Sequence, residues 1–239
     1  MSVKPVSFSD KILPTQPVFI EQFDGEEGQF YAVLHEALMR FSDLRLPTEE
    51  FTLQQSEQVT IEEMASSPTV LRFLQLLIAL KQPRRVLEIG AFIGLSAMSM
   101  AQAMPADGQV VTVEKYDHFA DLAQENFRRN GLAEKIRLLQ GDAFTVLAGL
   151  KGERFDMAFL DGNKERYREY FEMIDPLLRP GALFVVDDVL FHGDALNERP
   201  KTEKGAGVRR FLEAAQGRKD YRKVLLPFSN GLMFMVKQA

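Results

Sequence analysis

The sequence predicts a doubly wound α/β fold, and three observations carry that expectation. Five short apolar runs, residues 85–89, 109–114, 136–139, 157–160 and 182–186, are rich in Val, Ile, Leu and Phe and mostly lack polar alternation. That is the pattern of strands buried on both faces of a parallel sheet. Segments of helix length separate the runs, so each strand is followed by a right-handed crossover that returns the chain in the same direction. The end of the chain differs: residues 224–227 and 232–236 flank Phe228-Ser229-Asn230-Gly231, a hairpin-sized turn that makes the last two strands antiparallel. The sum is a seven-stranded, Rossmann-like sheet, mostly parallel, with an antiparallel C-terminal hairpin.

Each element has a local reason. Residues 1–60 carry no strand signal and read as an N-terminal helical extension, in which Phe30, Val33, Leu34, Leu38 and Phe41 recur at helical spacing over 27–41. Residues 61–239 hold the α/β domain. Its first helix spans 68–80, with Pro68 suited to a first turn. Residues 95–104 are small and apolar, 116–130 are amphipathic and end at Gly131, and 165–178 end before Arg179-Pro180-Gly181. Asn130-Gly131 and Pro180-Gly181 are turn chemistry that closes a helix before the next strand. Residues 193–207 are polar, include Pro200, Lys201 and Lys204, and read as a long surface loop beside the sheet's active edge.

Composition narrows the function. At 239 residues, 46% hydrophobic and 26% charged, the chain is long enough to bury a large core in one α/β domain. It has no cysteine, which excludes disulfides, thiolate metal sites and cysteine nucleophiles. With 29 Lys and Arg against 34 Asp and Glu the net charge is −5, so no overall basic field invites nucleic acid. Lys201, Lys204, Arg209 and Arg210 are the one basic cluster and read as a solvated loop and helix face. No apolar run reaches the roughly 18 residues of a membrane span. The opening MSVKPVSFSDKILPTQPVF lacks the pattern of a secretory signal, so the expected location is the cytoplasm.

In an open parallel sheet, ligands bind beyond the carboxyl ends of the strands. All five predicted parallel strands leave an acid there: Glu88 before Gly90 and Gly94, then Glu114, Asp142, Asp161, and the pair Asp187 and Asp188. One such acid is most simply a helix cap; five along one edge point to a cationic guest. The glycines are spaced G-x-x-x-G, not the G-x-G-x-x-G of dinucleotide sites. A pyrophosphate would also meet Glu88. S-adenosylmethionine suits the edge better, because it brings a sulfonium, an ammonium and a ribose diol. Glu114, 24 residues after Gly90, stands where a ribose-binding acid is expected. Gly90 lets the backbone approach the methionine part, and Ser96, at a helix start, can hold its carboxylate.

Asp161, Asp187 and Asp188 leave strands that this topology makes neighbours, about 5 Å apart. Three carboxylates so placed repel unless a cation lies between them, and hard oxygen donors suit Mg²⁺, with Mn²⁺ or Ca²⁺ as alternatives. The competing reading is that Asp187 and Asp188 cap the following turn. Lys164, three residues after Asp161, is the nearby base; beside a dication and partly buried, its pKa is expected to fall far enough to take a proton from a phenol.

These residues resemble the cation-dependent, S-adenosylmethionine-dependent O-methyltransferases of the catechol and caffeoyl-coenzyme A type. The matching stretches are RVLEIGAFIGLSAMSMAQAMPADGQVVTVE, LLQGDA, FDMAFLDGNKERYREYFEMIDPLLRPGALFVVDDVLFHGDAL and SNGLMFMVK. The specific part is the D-x-x-K-x-x-Y-x-x-Y run of Asp161, Lys164, Tyr167 and Tyr170 followed by the aspartate pair. The resemblance implies that residues 61–239 are a methyltransferase domain. Glu88, Gly90 and Ser96 would line the methionine end of the donor, Glu114 its ribose, and Asp142 and Ala143 its adenine, with Tyr170 and Ser66 as further donor-site residues. Asp161 would serve both donor and metal, Asp187 and Asp188 would complete the metal ligands, and Lys164 would be the base. It further implies a homodimer and a small phenolic acceptor.

The chain departs from that family at three points. Asp188 stands where an Asn is general, Phe191 where a Trp is usual, and Val70 where relatives carry an acid. His192 lies at the proposed mouth and reads as a loop histidine. Two other readings share the sheet: a methyltransferase acting on another acceptor (a natural-product intermediate, an amine or a macromolecule), and a nicotinamide-dependent oxidoreductase, which the missing glycine triplet disfavours.

Overall fold

The computed structural model describes residues 65–227 and 229–238, together with the isolated positions Gln29, Val33, Ala37 and Arg40, which are helical. The rest of the helix expected over 27–41, and the boundary expected near residue 60, lie outside the described residues.

The first described helix, α1 (Pro68–Lys81), starts where Ser67 accepts a hydrogen bond from the Val70 amide and Pro68 needs no donor. Alternating strands and helices follow: β1 (Arg85–Ile89), α2 (Leu95–Ala103), β2 (Gln109–Glu114), α3 (Asp117–Arg129), β3 (Ile136–Gln140), α4 (Ala143–Gly149), β4 (Phe155–Leu160), α5 (Tyr167–Ile174), β5 (Leu178–Val186) and α6 (Glu203–Gly217). The chain closes with β6 (Tyr221–Leu226) and β7 (Leu232–Lys237). The seven strands lie in the order β3-β2-β1-β4-β5-β7-β6. β1 to β5 are parallel, and β7 pairs antiparallel with both β5 and β6. This is the Rossmann-like sheet that the sequence predicts.

Strand alternation divides the core into two layers. Leu87 and Ile89 of β1, with Phe184 and Val186 of β5, pack under α4, α5 and α6 against Leu147, Phe171 and Phe211. Val86, Leu183 and Val185 face the other way, onto Val70, Leu74 and Ile78 of α1, Met98 of α2 and Phe127 of α3. The chain winds outward from β1 to β3 and then returns to place β4 on the other side of β1. That reversal opens a cleft at the carboxyl ends of β1 and β4.

Two expectations are corrected. Arg179-Pro180-Gly181 is no inter-element turn: it sits inside β5, where Phe155 pairs with Leu178 and Met157 with Leu183. Those three exposed residues bulge out of the ladder, with Gly181 at φ +76°, so the turn chemistry is expressed without ending the strand. Residues 193–207 are no open loop either. A 3₁₀ turn spans Phe191–Leu196, and α6 begins at Glu203 behind the N-cap Thr202. Asp194 organises the intervening chain by accepting hydrogen bonds from the amides of Lys201 (2.7 Å) and Thr202 (3.0 Å), the Thr202 hydroxyl (2.8 Å) and the Asn197 side chain (3.0 Å). Two glycines of this segment serve close packing. A Cβ on Gly205 would collide with Asp194, and one on Gly207 with the backbone of Lys164 and Glu165. Among the described residues no helix is long and apolar enough to cross a membrane.

Gly207→Ala is expected to cost about 1–3 kcal/mol, because the new methyl meets backbone that cannot step aside. Thermal denaturation reads this as a fall of roughly 2–4 °C per kcal/mol; an unchanged midpoint would show that α6 does not press on the Lys164 segment.

Candidate active site

The cleft is built from strand ends tied together by main chain. The Asp161 amide donates to the Ile89 carbonyl (3.0 Å) and the Asp187 amide to the Leu160 carbonyl (3.0 Å), so each acid continues the ladder one step past its strand. Gly90 has φ +100°, and a Cβ there would strike the Asp161 carbonyl. Glycine is therefore what allows β1 and β4 to close around the acid. Gly94, at φ +86°, is pressed in the same way against the Phe127 ring. Both glycines answer first to the protein's own packing, a use the sequence reading did not assign to them.

Lys164 stands among the acids. It opens a short 3₁₀ turn (Lys164–Arg166) whose N-cap is Asn163, and its Nζ lies 2.6 Å from Asp161 Oδ1 and 2.9 Å from Asp188 Oδ2. Asp161 Oδ2 accepts a second hydrogen bond, from Ser66 Oγ at 3.1 Å, so the segment before α1 reaches the same carboxylate. Asp187 is buried, and its Oδ1 accepts from the Asp188 amide at 2.8 Å. Burial raises the pKa of Asp161 despite the opposing Lys164 charge. Asp187 is pushed well above the usual carboxylate range by burial, then by the charges of Asp161 and Asp188. Burial pulls Lys164 down, but the charges of Asp161 and Asp188 outweigh it and hold the ammonium well above its ordinary value. The fall expected from the sequence is for a lysine beside a dication; here the ammonium itself is the cation that offsets these carboxylates.

Among the described residues no three His, Cys, Asp or Glu side chains stand as a formed metal centre. The donor set nonetheless suits a hard divalent ion in its chemistry: Asp161 and Asp188 both reach Lys164 Nζ, and the buried Asp187 feels the charges of both in a way an added cation relieves.

The remaining predicted residues lie along the same edge. Glu88 and Thr112 are cross-strand partners, both fully buried on the α1–α3 side of the sheet. The Thr112 hydroxyl donates to Glu88 Oε2, while Oε1 has no hydrogen-bond partner. Burial pushes the Glu88 carboxyl up to about 7, with the nearby Ser96 and Thr112 hydroxyls opposing and the charges of Asp161 and Glu114 adding to it. Glu114 bridges two loops, accepting from the Phe92 amide (2.8 Å) and the Tyr116 amide (2.9 Å). Asp142 caps α4 by accepting from the Phe144 amide at 3.0 Å, and its other oxygen lies 4.0 Å from Lys115 Nζ. Ala143 begins that helix and is buried. Tyr170 packs on Phe144 with ring centroids 4.9 Å apart, its hydroxyl pushed by burial up to about 12. The structure thus gathers Ser66, Asp161, Lys164, Asp187 and Asp188 into one cluster. Glu114, Asp142 and Ala143 flank it at the ends of β2 and β3, and Tyr170 of α5 packs on Phe144 just beyond Ala143.

Sequence reasoning missed Asn230, Thr112 and the hydroxyl of Tyr167. Asn230 reads as turn chemistry, yet its Nδ2 donates to Asp188 Oδ1 at 3.0 Å. Thr112 was hidden inside an apolar strand. Tyr167 is fully buried beside Lys164, with a hydroxyl that has no hydrogen-bond partner. The stretch beyond the aspartates is strained: Asp188 (φ +58°), Phe191 (+42°) and His192 (+54°) all occupy the left-handed region, each at a cost of order 1 kcal/mol or more.

The family model described as O-methyltransferase matches residues 45–238. The chain belongs to the O-methyltransferase family. A catechol O-methyltransferase of Niastella koreensis is 39% identical over 148 residues, which cover 61% of this chain and 67% of the relative. One from Mycobacterium tuberculosis is 35% identical over 157 residues, 66% and 71% of the two chains. The crystal structure of the O-methyltransferase TomG from Streptomyces achromogenes, involved in tomaymycin synthesis and in complex with S-adenosylmethionine, superimposes with a TM-score of 0.71 at 34% identity. That match covers 74% of this chain and 83% of TomG.

Glu88 gives this O-methyltransferase a testable pH signature. Its carboxyl is held up to about 7 in the fold against the usual 4.5, so the folded state keeps a proton that the unfolded chain releases. Stability contributed by this group is therefore present below about pH 4.5 and lost as pH rises to 7, a displacement equivalent to about 3 kcal/mol. Glu88→Gln should flatten that decline. Thermal midpoints at pH 5 and pH 8 check it, and parallel pH dependence in both proteins would refute the assignment.

Proposed function

We propose that the chain transfers the methyl group of S-adenosylmethionine to one hydroxyl of a catechol-like or phenylpropanoid small molecule, with a divalent ion, Mg²⁺ in the first instance, chelating the vicinal oxygens. The observation that carries this reading is the Lys164 ammonium suspended between Asp161 and Asp188 beside the buried Asp187. It joins a proton-transfer group to three hard oxygen donors at the mouth of the cleft. The names of the catechol relatives and the donor bound in TomG support it.

In this reading Glu88, Gly90, Ser96 and Ser66 hold the methionine end of the donor, Glu114 the ribose, and Asp142, Ala143 and Tyr170 the adenine. Asp161, Asp187 and Asp188 hold the ion, which would acidify the acceptor hydroxyls. Lys164 Nζ takes the proton from the attacking hydroxyl as its oxygen displaces the methyl carbon from sulfur, leaving S-adenosylhomocysteine. For that, Lys164 must begin unprotonated. The carboxylates that now hold its charge are the ion's ligands. An ion held by those carboxylates would weaken their pull on Lys164 and let burial, the largest influence on it, bring its pKa down. Asp161, bonded to Ser66 on one side and Lys164 on the other, keeps donor and acceptor in register. Positioning of this kind is the chain's main contribution to an in-line displacement.

Lys164→Ala is expected to lower turnover by about 10²–10⁴-fold while donor affinity by calorimetry stays within a few-fold; near-normal turnover would remove Lys164 from the role. A panel of catechols, caffeoyl thioesters and flavonoids with labelled donor identifies the acceptor. Treatment with EDTA should abolish transfer and added Mg²⁺ restore it, whereas indifference to the chelator would sink the metal reading.

A further inference from the structure

The geometry points to Asn230 as a positioning residue that sets the Asp188 carboxylate and, with it, the acceptor-side wall of the cleft. The inference rests on the role of Asp188 proposed above. Asn230 lies in the turn between β6 and β7, 42 residues from Asp188, and turns both polar atoms of its side chain and its carbonyl onto the segment after β5. Its Nδ2 donates to Asp188 Oδ1 at 3.0 Å, its Oδ1 accepts from the His192 amide at 2.6 Å, and its carbonyl accepts from the Leu190 amide at 2.9 Å. The neighbouring Gly231 carbonyl accepts from the Val189 amide at 3.0 Å.

Two features make this more than a loop contact. First, the bonds divide the Asp188 carboxylate: Oδ1 goes to Asn230 and Oδ2 to Lys164 at 2.9 Å. Asn230 therefore fixes the rotation that turns Oδ2 into the acid cluster. Second, Asp188, Phe191 and His192 hold left-handed backbone that only surrounding bonds sustain, and Asn230 bonds two of the three directly. The amide meets both demands, donating from one atom and accepting at the other. A carboxylate at 230 could accept from the His192 amide but would face Asp188 with like charge, and an apolar residue would leave both partners unserved.

The same logic yields a swap that preserves every bond. With Asn at 188 and Asp at 230, the amide nitrogen of residue 188 donates to the carboxylate of residue 230, its oxygen still accepts from Lys164, and residue 230 still accepts from His192. Four proteins decide the matter: wild type, Asn230→Ala, Asn230→Asp, and Asp188→Asn combined with Asn230→Asp. Each is measured for thermal midpoint, S-adenosylmethionine affinity by calorimetry, Mn²⁺ affinity by electron paramagnetic resonance, and kcat/KM for the panel acceptor that wild type turns over fastest.

Both single variants are expected to stay folded and to bind the donor within about threefold of wild type. Their Mn²⁺ affinity and acceptor kcat/KM should fall by roughly 10–100-fold, as loss of an outer partner of a ligand does. The swap should recover most of that loss. Single variants that match wild type, or a loss of donor affinity as large as the loss of kcat/KM with no recovery in the swap, would overturn the inference. A wild type that binds no Mn²⁺ would instead sink the metal reading, and the swap's effect on kcat/KM would then decide the role of Asn230.

Discussion

The site depends on one electrostatic constraint: three carboxylates on adjacent strand ends must be offset by positive charge. Hydrogen bonds from main chain to main chain fix Asp161 and Asp187 one step beyond β4 and β5. Neither can move apart without breaking the sheet. In this state the balancing charge is the Lys164 ammonium, 2.6 Å from Asp161 and 2.9 Å from Asp188. The protonation of Lys164, Asp161 and Asp187 is consequently a property of the cluster and not of any one residue. In the proposed function a divalent cation would compete with the lysine proton for the same carboxylate field, and that competition would free the lysine to act as a base.

Holding this cluster requires close approach of backbone, which explains where the glycines fall. Gly90 admits the Asp161 carbonyl and Gly207 admits the backbone of Lys164 and Glu165. The two close approaches flank the short Asp161–Lys164 segment, so its position is set by main-chain packing on both sides. Side-chain geometry at 2.6–3.1 Å is kept because the chain that carries it has no room to shift.

Much of this was legible in the sequence because strand burial and strand-end chemistry are local signals. The runs at 85–89 and 109–114 are the observed β1 and β2. The acids after all five parallel strands mark the edge that the structure gathers into one cleft. What escaped had non-local causes. Gly205 and Gly207 look like loop residues until Asp194 and the Lys164 segment are seen against them. Pro180-Gly181 looks like a terminator, yet β4 pairs with β5 before and after it, at Leu178 and at Leu183, and carries the strand through a bulge. The direction of the Lys164 pKa depends on two acids, one 24 residues away, whose distances no spacing rule supplies. Asn230 sits in a motif whose turn reading is correct and incomplete.

The doubly wound order also divides the site's labour. Glu88, Ser96, Glu114, Asp142 and Ala143 belong to the β1–β3 half, which winds outward from the switch point, and the hydrogen-bond partners of Glu88, Glu114 and Asp142 lie within that half. Lys164, Asp187, Asp188 and Asn230 belong to the β4–β7 half, and their bonds cross between α5, β5 and the C-terminal hairpin. Asp161 is at the seam: its amide bonds to β1, its carboxylate to Ser66 before α1 and to Lys164 before α5. In the proposed function a donor held by the first half and an acceptor held by the second would meet at this residue. Methyl transfer needs the sulfur, the methyl carbon and the attacking oxygen in line. In the proposed reading Asp161, whose carboxylate bonds to Ser66 on one side and Lys164 on the other, is the side chain placed to keep that line.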